Sequence, residues 1–209
     1  MTDDKRGHAW TPEDESAEGW PVPLRGVTES VIATKGPNGL WNLAALGLHA
    51  GDPVTARTYG NTRTRRNFER GGGGVVQFVA DPRTFVDAAL AIREEPEPVV
   101  PSADAWVEVE VERLGANEEQ GTTIREWELT PGVSEVVREG ATTINRGFGA
   151  VVEATVAASR LGVAGFDDQE LRGRLEFLWD VVERCGGARE REAMERVAGG
   201  SDWSPGREN

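Results

Sequence analysis

At Pro131 the chain changes its hydrophobic period, and no single kind of element can serve both sides of that change. Before it, Val54, Ala56 and Thr58 alternate with Thr55, Arg57 and Tyr59, and Val107, Val109 and Val111 alternate with Trp106, Glu108, Glu110 and Glu112. That is the period of strands with one solvated face. After it, Ile144, Phe148, Val151, Val152, Thr155, Val156 and Leu161 fall on one broad helical face, with glycines and alanines keeping much of the rest small. The expected fold class is therefore α+β: a strand-built part followed by a helical part.

In chain order, residues 1–25 read as a disordered acidic tail, with Trp10 and Trp20 too isolated to offset chain ordering. Residues 26–130 read as a small β-barrel. Val27 to Ala33 and Leu40 to Leu48 make a hairpin over the turn Gly36-Pro37-Asn38-Gly39, and Val54 to Tyr59 is a third strand. Val75 to Ala80 is a fourth, and Asp81-Pro82 opens a helix with Phe85, Ala88, Ala89 and Ile92 as its stripe. Glu94 to Ser102 is a proline-and-acid connector; Ala105 to Leu114 and Thr122 to Leu129 form another antiparallel pair around a polar loop at 115–121. Strands joined by compact loops favour a barrel over a parallel sheet. Residues 131–199 form the helical subdomain: Asp167 caps a helix with the stripe Leu171, Leu175, Leu178 and Val182, Gly186-Gly187 stops it, and a short helix covers Ala188 to Val197. Residues 200–209 are expected to fray.

Acids outnumber bases by 36 to 23, for a net charge of -13, and Lys5 and Lys35 are the only lysines. Such a balance argues against nonspecific binding to nucleic acid or anionic membrane. It resembles the arginine-over-lysine, acidic surface of salt-adapted archaeal proteins. The lone cysteine, Cys185, reads as a buried small residue in a chain of a reducing cytoplasm. No pair of His8, His49 and Cys185 has metal-ligand spacing. The acidic N-terminus has no secretory pattern, and no apolar run is long enough for a membrane span.

Against that background one stretch is anomalous. From Arg57 to Arg70 there are five arginines and one acid, Glu69, with Asn61, Thr62, Thr64 and Asn67 among them. Asn61 or Thr62 can cap a helix starting here, and its first turn then offers unpaired N–H groups at the positive end of the macrodipole. Two readings stand: a phosphate site using the hydroxyls, the amides and an arginine together, or a capped surface helix whose arginines pair with acids of this chain or a neighbouring subunit.

The order of these features, with Asn42-Leu43-Ala44-Ala45-Leu46-Gly47 in the second strand, Thr64-Arg65-Arg66-Asn67 in the helix and Thr142-Thr143-Ile144-Asn145-Arg146-Gly147 before the helical part, resembles the FMN-binding split-barrel flavoproteins. These include flavin reductases and relatives of pyridoxamine-phosphate oxidase. The match is nearest to an archaeal group, domain-of-unknown-function family 447. The resemblance implies a homodimer holding FMN near the subunit interface. It places the phosphate at Thr62, Arg63, Thr64 and Asn67, beside Asn61, and ring contacts at Thr34, Asn42 and Ala45. Family hairpins commonly carry proline where this chain has Ala45. Gln77 falls where relatives often have an amide, and it reaches either the ring edge or a neighbouring strand.

Asn145 and Arg146 read as a helix cap, an interface pair or a pocket closure, and His49 as a strand-end residue or an acid-base group beside a flavin. The functional expectation is an FMN-dependent oxidoreductase of flavin-reductase type acting with an unknown small-molecule or electron-transfer partner. The alternatives are a non-catalytic protein that stores or senses a flavin or similar phosphate ligand, and an interaction protein whose helices dimerise.

Overall fold

The computed structural model describes residues 15–16, 18–119, 121–140 and 143–206. Among them, six antiparallel strands close a barrel: β3 (Val27–Lys35), β6 (Gly73–Val79), β8 (Ala103–Glu119), β9 (Thr122–Val136), β5 (Val54–Tyr59) and β4 (Trp41–His49), with β4 returning to pair with β3. A two-residue ribbon, β1 (Glu15–Ser16) with β2 (Leu24–Arg25), precedes them, and the three-residue β7 (Arg93–Glu95) lies along β4 outside the barrel. Helix α1 (Arg63–Gly71) follows β5 and α2 (Pro82–Leu90) follows β6, while α3 (Arg146–Ala158), α4 (Asp168–Cys185) and α5 (Ala188–Gly199) make the helical unit.

The alternation read from the sequence sets which side chains enter the barrel. Ile32, Leu46, Leu48, Val54, Ala56, Val76, Val107, Val109, Trp127 and Leu129 fill it. Glu108, Glu110 and Glu112 stay exposed on the other face of β8. At the end bounded by Val27 and His49, Trp20 and Leu24 join the core. At the end bounded by Thr34 and Tyr59, α1 inserts Phe68, which meets Trp127 edge to face at 5.2 Å. The barrel interior is a packed core, so a ligand must bind at its mouth or outside it.

Outside the barrel, Val31, Ala33, Leu43 and Val75 pack against Phe85 and Ala88 of α2. Val86, on another face of the same helix, joins Val151, Ala154, Leu175, Val182, Met194 and Val197 in the helical core. Helix α2 is therefore the main joint between the two parts, with Val152 of α3 packing on the same barrel face. Charged groups reinforce it: Arg83 contacts Asp81 at 2.7 Å and Glu192 of α5 at 2.8 Å, and Arg196 of α5 contacts Asp87.

Several expectations are corrected. Trp20 is 8% exposed and Leu24 fully buried, so the end of the segment expected as a tail is part of the barrel core. Trp10 and the rest of 1–14 lie outside the described residues. At the other terminus Trp203 is 3% exposed and packs on Trp179, and Arg172 donates to the Asp202 carbonyl at 2.8 Å; residues 207–209 lie outside the described residues. The 115–121 loop is strand as far as Glu119. Strand β9 runs through Pro131 to Val136, because beyond Leu129 it no longer has β5 beside it and its register against β8 shifts between Val107 and Val109. Edges and bulges are where a strand accepts proline. Cys185 is exposed at the end of α4, and Ile144 is fully exposed before α3 rather than on its apolar face.

Candidate anion site at the mouth of the barrel

Thr62 caps α1 in extended conformation, its hydroxyl accepting from the Arg65 N–H at 3.2 Å. No acid occupies the first turn, so the positive end of the helix is not compensated from within. The inner face of the helix carries Thr64, Asn67 and Phe68, all buried. The Asn67 amide donates to the Thr34 hydroxyl at 3.0 Å and accepts from Arg70 at 2.7 Å, and Arg70 also donates to the Lys35 carbonyl. This chain of bonds fastens α1 to β3.

Thr34 stands opposite Asn42 across the hairpin, and Asn42 stands opposite Glu94 of β7. Glu94 in turn accepts from Arg63 at 2.8 Å. Arg63, Glu94, Asn42, Thr34, Asn67 and Thr64 thus ring one mouth between the helix start and the ends of three strands. Two members of the ring are unspent. Thr64 and Asn42 are each 5% exposed, and among the described residues neither side chain has a hydrogen-bond partner. Neither side chain is among the polar atoms sealed from solvent, so their polar tips open onto the mouth and are available to a ligand.

The arginine island divides. Arg57 pairs with Glu126 at 3.1 Å, Arg63 with Glu94, and Arg65 with Glu69 at 3.2 Å. Glu69 also faces the guanidinium of Arg125, whose Nε and Nη1 are buried without a hydrogen bond, so one carboxylate serves two cations. Arg66 donates to the Asn61 carbonyl at 2.9 Å and to its side-chain oxygen at 3.2 Å. Among the described residues Arg66, Arg70 and Lys35 pair with no carboxylate, and Arg63, Arg66 and Arg70 share one helical face. The pairing reading holds for Arg57, Arg63 and Arg65, which neutralise local acids, while a cationic stripe remains beside the mouth.

Ala45 and Gln77 are elsewhere. Ala45, Val31 and Gln77 lie in one cross-strand row on the outer face of the barrel, whereas Thr34 and Asn42 share the inward parity of Ile32 and Ala44. Thr34, Asn42 and Ala45 therefore do not line a single surface. Gln77 is fully buried and spent, donating to the Pro98 carbonyl at 2.8 Å and accepting from the Val100 N–H at 2.7 Å; it holds the connector to the barrel. Asn145 caps α3, accepting from Gly147 and Phe148. His49 lies at the opposite end of β4 from Asn42, roughly 23 Å along the strand, which removes it from the mouth. Glu94 carried no sequence signal, since a connector acid looks like a solvated group; only the β4–β7 pairing brings it here.

A closed antiparallel barrel with a helix seated at its mouth and a helical unit packed on its outer face, chiefly through α2, defines a split-barrel architecture. The N-terminal model of a family described as proteins of unknown function (DUF447) matches residues 28–138, and its second model matches 145–199. The chain belongs to that family. A solved structure of an FMN-bound member of the family from Methanosarcina mazei is 24% identical, covering 84% of this chain and 95% of its own with a TM-score of 0.71, and shares the fold. The flavin reductase of a styrene monooxygenase from Pseudomonas putida is 16% identical over 53% of this chain and 82% of its own at TM-score 0.40. A flavoredoxin from Methanosarcina acetivorans is 14% identical over 56% and 72% at 0.39. These two are too distant to add to the fold assignment.

Proposed function

We propose that this chain binds FMN, with the phosphate on the first turn of α1. The observation that carries the reading is the pair of buried, unspent side chains, Thr64 and Asn42, beside an uncompensated helix N-terminus and a cationic stripe. Free N–H groups of the first turn, the Thr64 hydroxyl and Arg63 make a donor set suited to a phosphate. Asn61 and Thr62 shape the entry to that turn, and Asn67 with Thr34 keeps the helix at the right height above the barrel. Asn42, opposite Thr34 across the hairpin, would be a polar contact on the ring side. The FMN-bound family member of the same fold supports this choice of ligand.

Bound FMN would supply hydride or electron chemistry, and the fitting role for the chain is an oxidoreductase of flavin-reductase type. A second reading, storage or sensing of flavin without turnover, is favoured by the distance of His49 from the mouth. Exposed Val133 and Val136 at the end of β9, with Val137 and Ile144 beyond it, support a homodimer in which a second copy covers them. The acidic composition and lone cysteine support a salt-adapted archaeal source and a reducing cytoplasm. Titration of the purified chain with FMN and riboflavin tests the ligand: FMN should bind at least about tenfold more tightly, and equal affinities would overturn the phosphate assignment. Stopped-flow mixing of the FMN-loaded protein with a reduced nicotinamide then separates the readings, since rapid bleaching excludes pure storage.

A further inference from the structure

We propose that Glu94 sets the affinity of this site for its ligand: its carboxylate occupies Arg63 in place of the ligand's phosphate, and a phosphate must displace it to bind. The inference rests on the reading of the α1 N-terminus as a phosphate site. Three observations carry it. The Glu94 carboxylate lies 2.8 Å from Nη1 of Arg63, the first residue of α1. Its two oxygens are both 3.4 Å from the side-chain amide of Asn38, at the tip of the β3–β4 hairpin, so it is held from two sides. Its backbone sits opposite Asn42, one of the two unspent side chains of the mouth.

A carboxylate and a phosphate use the same donors on a guanidinium, and two anions beside one arginine repel. Since α1 has no acid in its own first turn, Glu94 is the negative group that the helix end and Arg63 receive from elsewhere. Arg66, Arg70 and Lys35 have no such rival among the described residues. Displacing Glu94 also frees Asn38, so occupancy of the site loosens the hairpin tip. A ligand lacking the phosphate does not meet the competition.

The test is a thermodynamic cycle on the whole chain, with Glu94→Gln made alone and in an Arg63→Ala background, each titrated with FMN and with riboflavin. Glu94→Gln should tighten FMN binding by about tenfold and leave riboflavin within about twofold, and in the Arg63→Ala background the FMN gain should shrink to about twofold or less. Unchanged or weaker FMN binding by Glu94→Gln overturns the proposal, as does an equal gain in both backgrounds, which would mean general charge repulsion. Should the unmodified chain bind FMN and riboflavin equally, the phosphate reading itself fails and the role of Glu94 falls with it.

Discussion

Thr64 and Asn67 face the same mouth from one helix but do different work. Thr64 has no protein partner, so Thr64→Ala should cost FMN affinity about 10- to 100-fold, the range for a hydrogen bond to a charged group, with the melting midpoint nearly unchanged. Asn67 is bonded to Thr34 and Arg70, so Asn67→Ala should lower stability by about 1–3 kcal/mol, measured by denaturant unfolding, before any effect on ligand. Glu29 gives a residue-scale prediction of the opposite sign. Burial, and then the nearby Glu153 carboxylate, push its pKa up, so the charged form is penalised in the fold. A raised folded value means that its stability contribution is present at low pH and lost as pH rises through that value. Glu29→Gln should therefore raise the melting midpoint at pH 7, and the gain should vanish near pH 4.

Among the elements, α2 is the one on which the two parts of the molecule depend. Hydrogen bonds from Arg83 hold the Asp81 and Glu192 carboxylates below the ordinary range, with Arg196 adding to the effect on Glu192. Depressed folded values mean a contribution present above the unfolded value and lost as pH falls through the folded one. The midpoint of unfolding should fall as pH drops from about 4.5 to about 3, and Arg83→Ala should flatten that fall. Much of this scale was legible in the sequence. Asp81-Pro82, Thr62 and Asp167 announced helix starts, and alternation announced the strands, because caps and periods are local. The length of β9 was not legible, since whether a proline ends a strand depends on whether a neighbouring strand needs its N–H. Of the site, the helix start and its Thr62 cap were readable. The split between Asn42 and Ala45, and the spending of Gln77 on the connector, depended on strand parity and a long-range contact that no local pattern carries.

At the scale of the whole molecule, the net charge of -13 sits on a barrel closed by its own chain: Trp20 at one end, α1 at the other. Isolated tryptophans gave no sign of this, because a lone aromatic between acids and glycines looks unpartnered until a barrel end lies beneath it. Trp20→Ala should cost about 3 kcal/mol or more in chemical denaturation, as truncation of a buried aromatic does. With so many like charges, the melting midpoint should rise as sodium chloride is increased from about 0.1 M to about 2 M; a falling midpoint would count against salt adaptation. The filled interior leaves the mouth and the outer face to a ligand, and on the reading proposed above FMN enters at the mouth, phosphate first onto α1. The most direct measurement is a crystal structure of the chain with FMN. Phosphate oxygens are expected within about 3 Å of the Thr64 hydroxyl and the first-turn N–H groups, with Glu94 turned away from Arg63. A phosphate bound away from α1, with the Arg63–Glu94 pair intact, would contradict it.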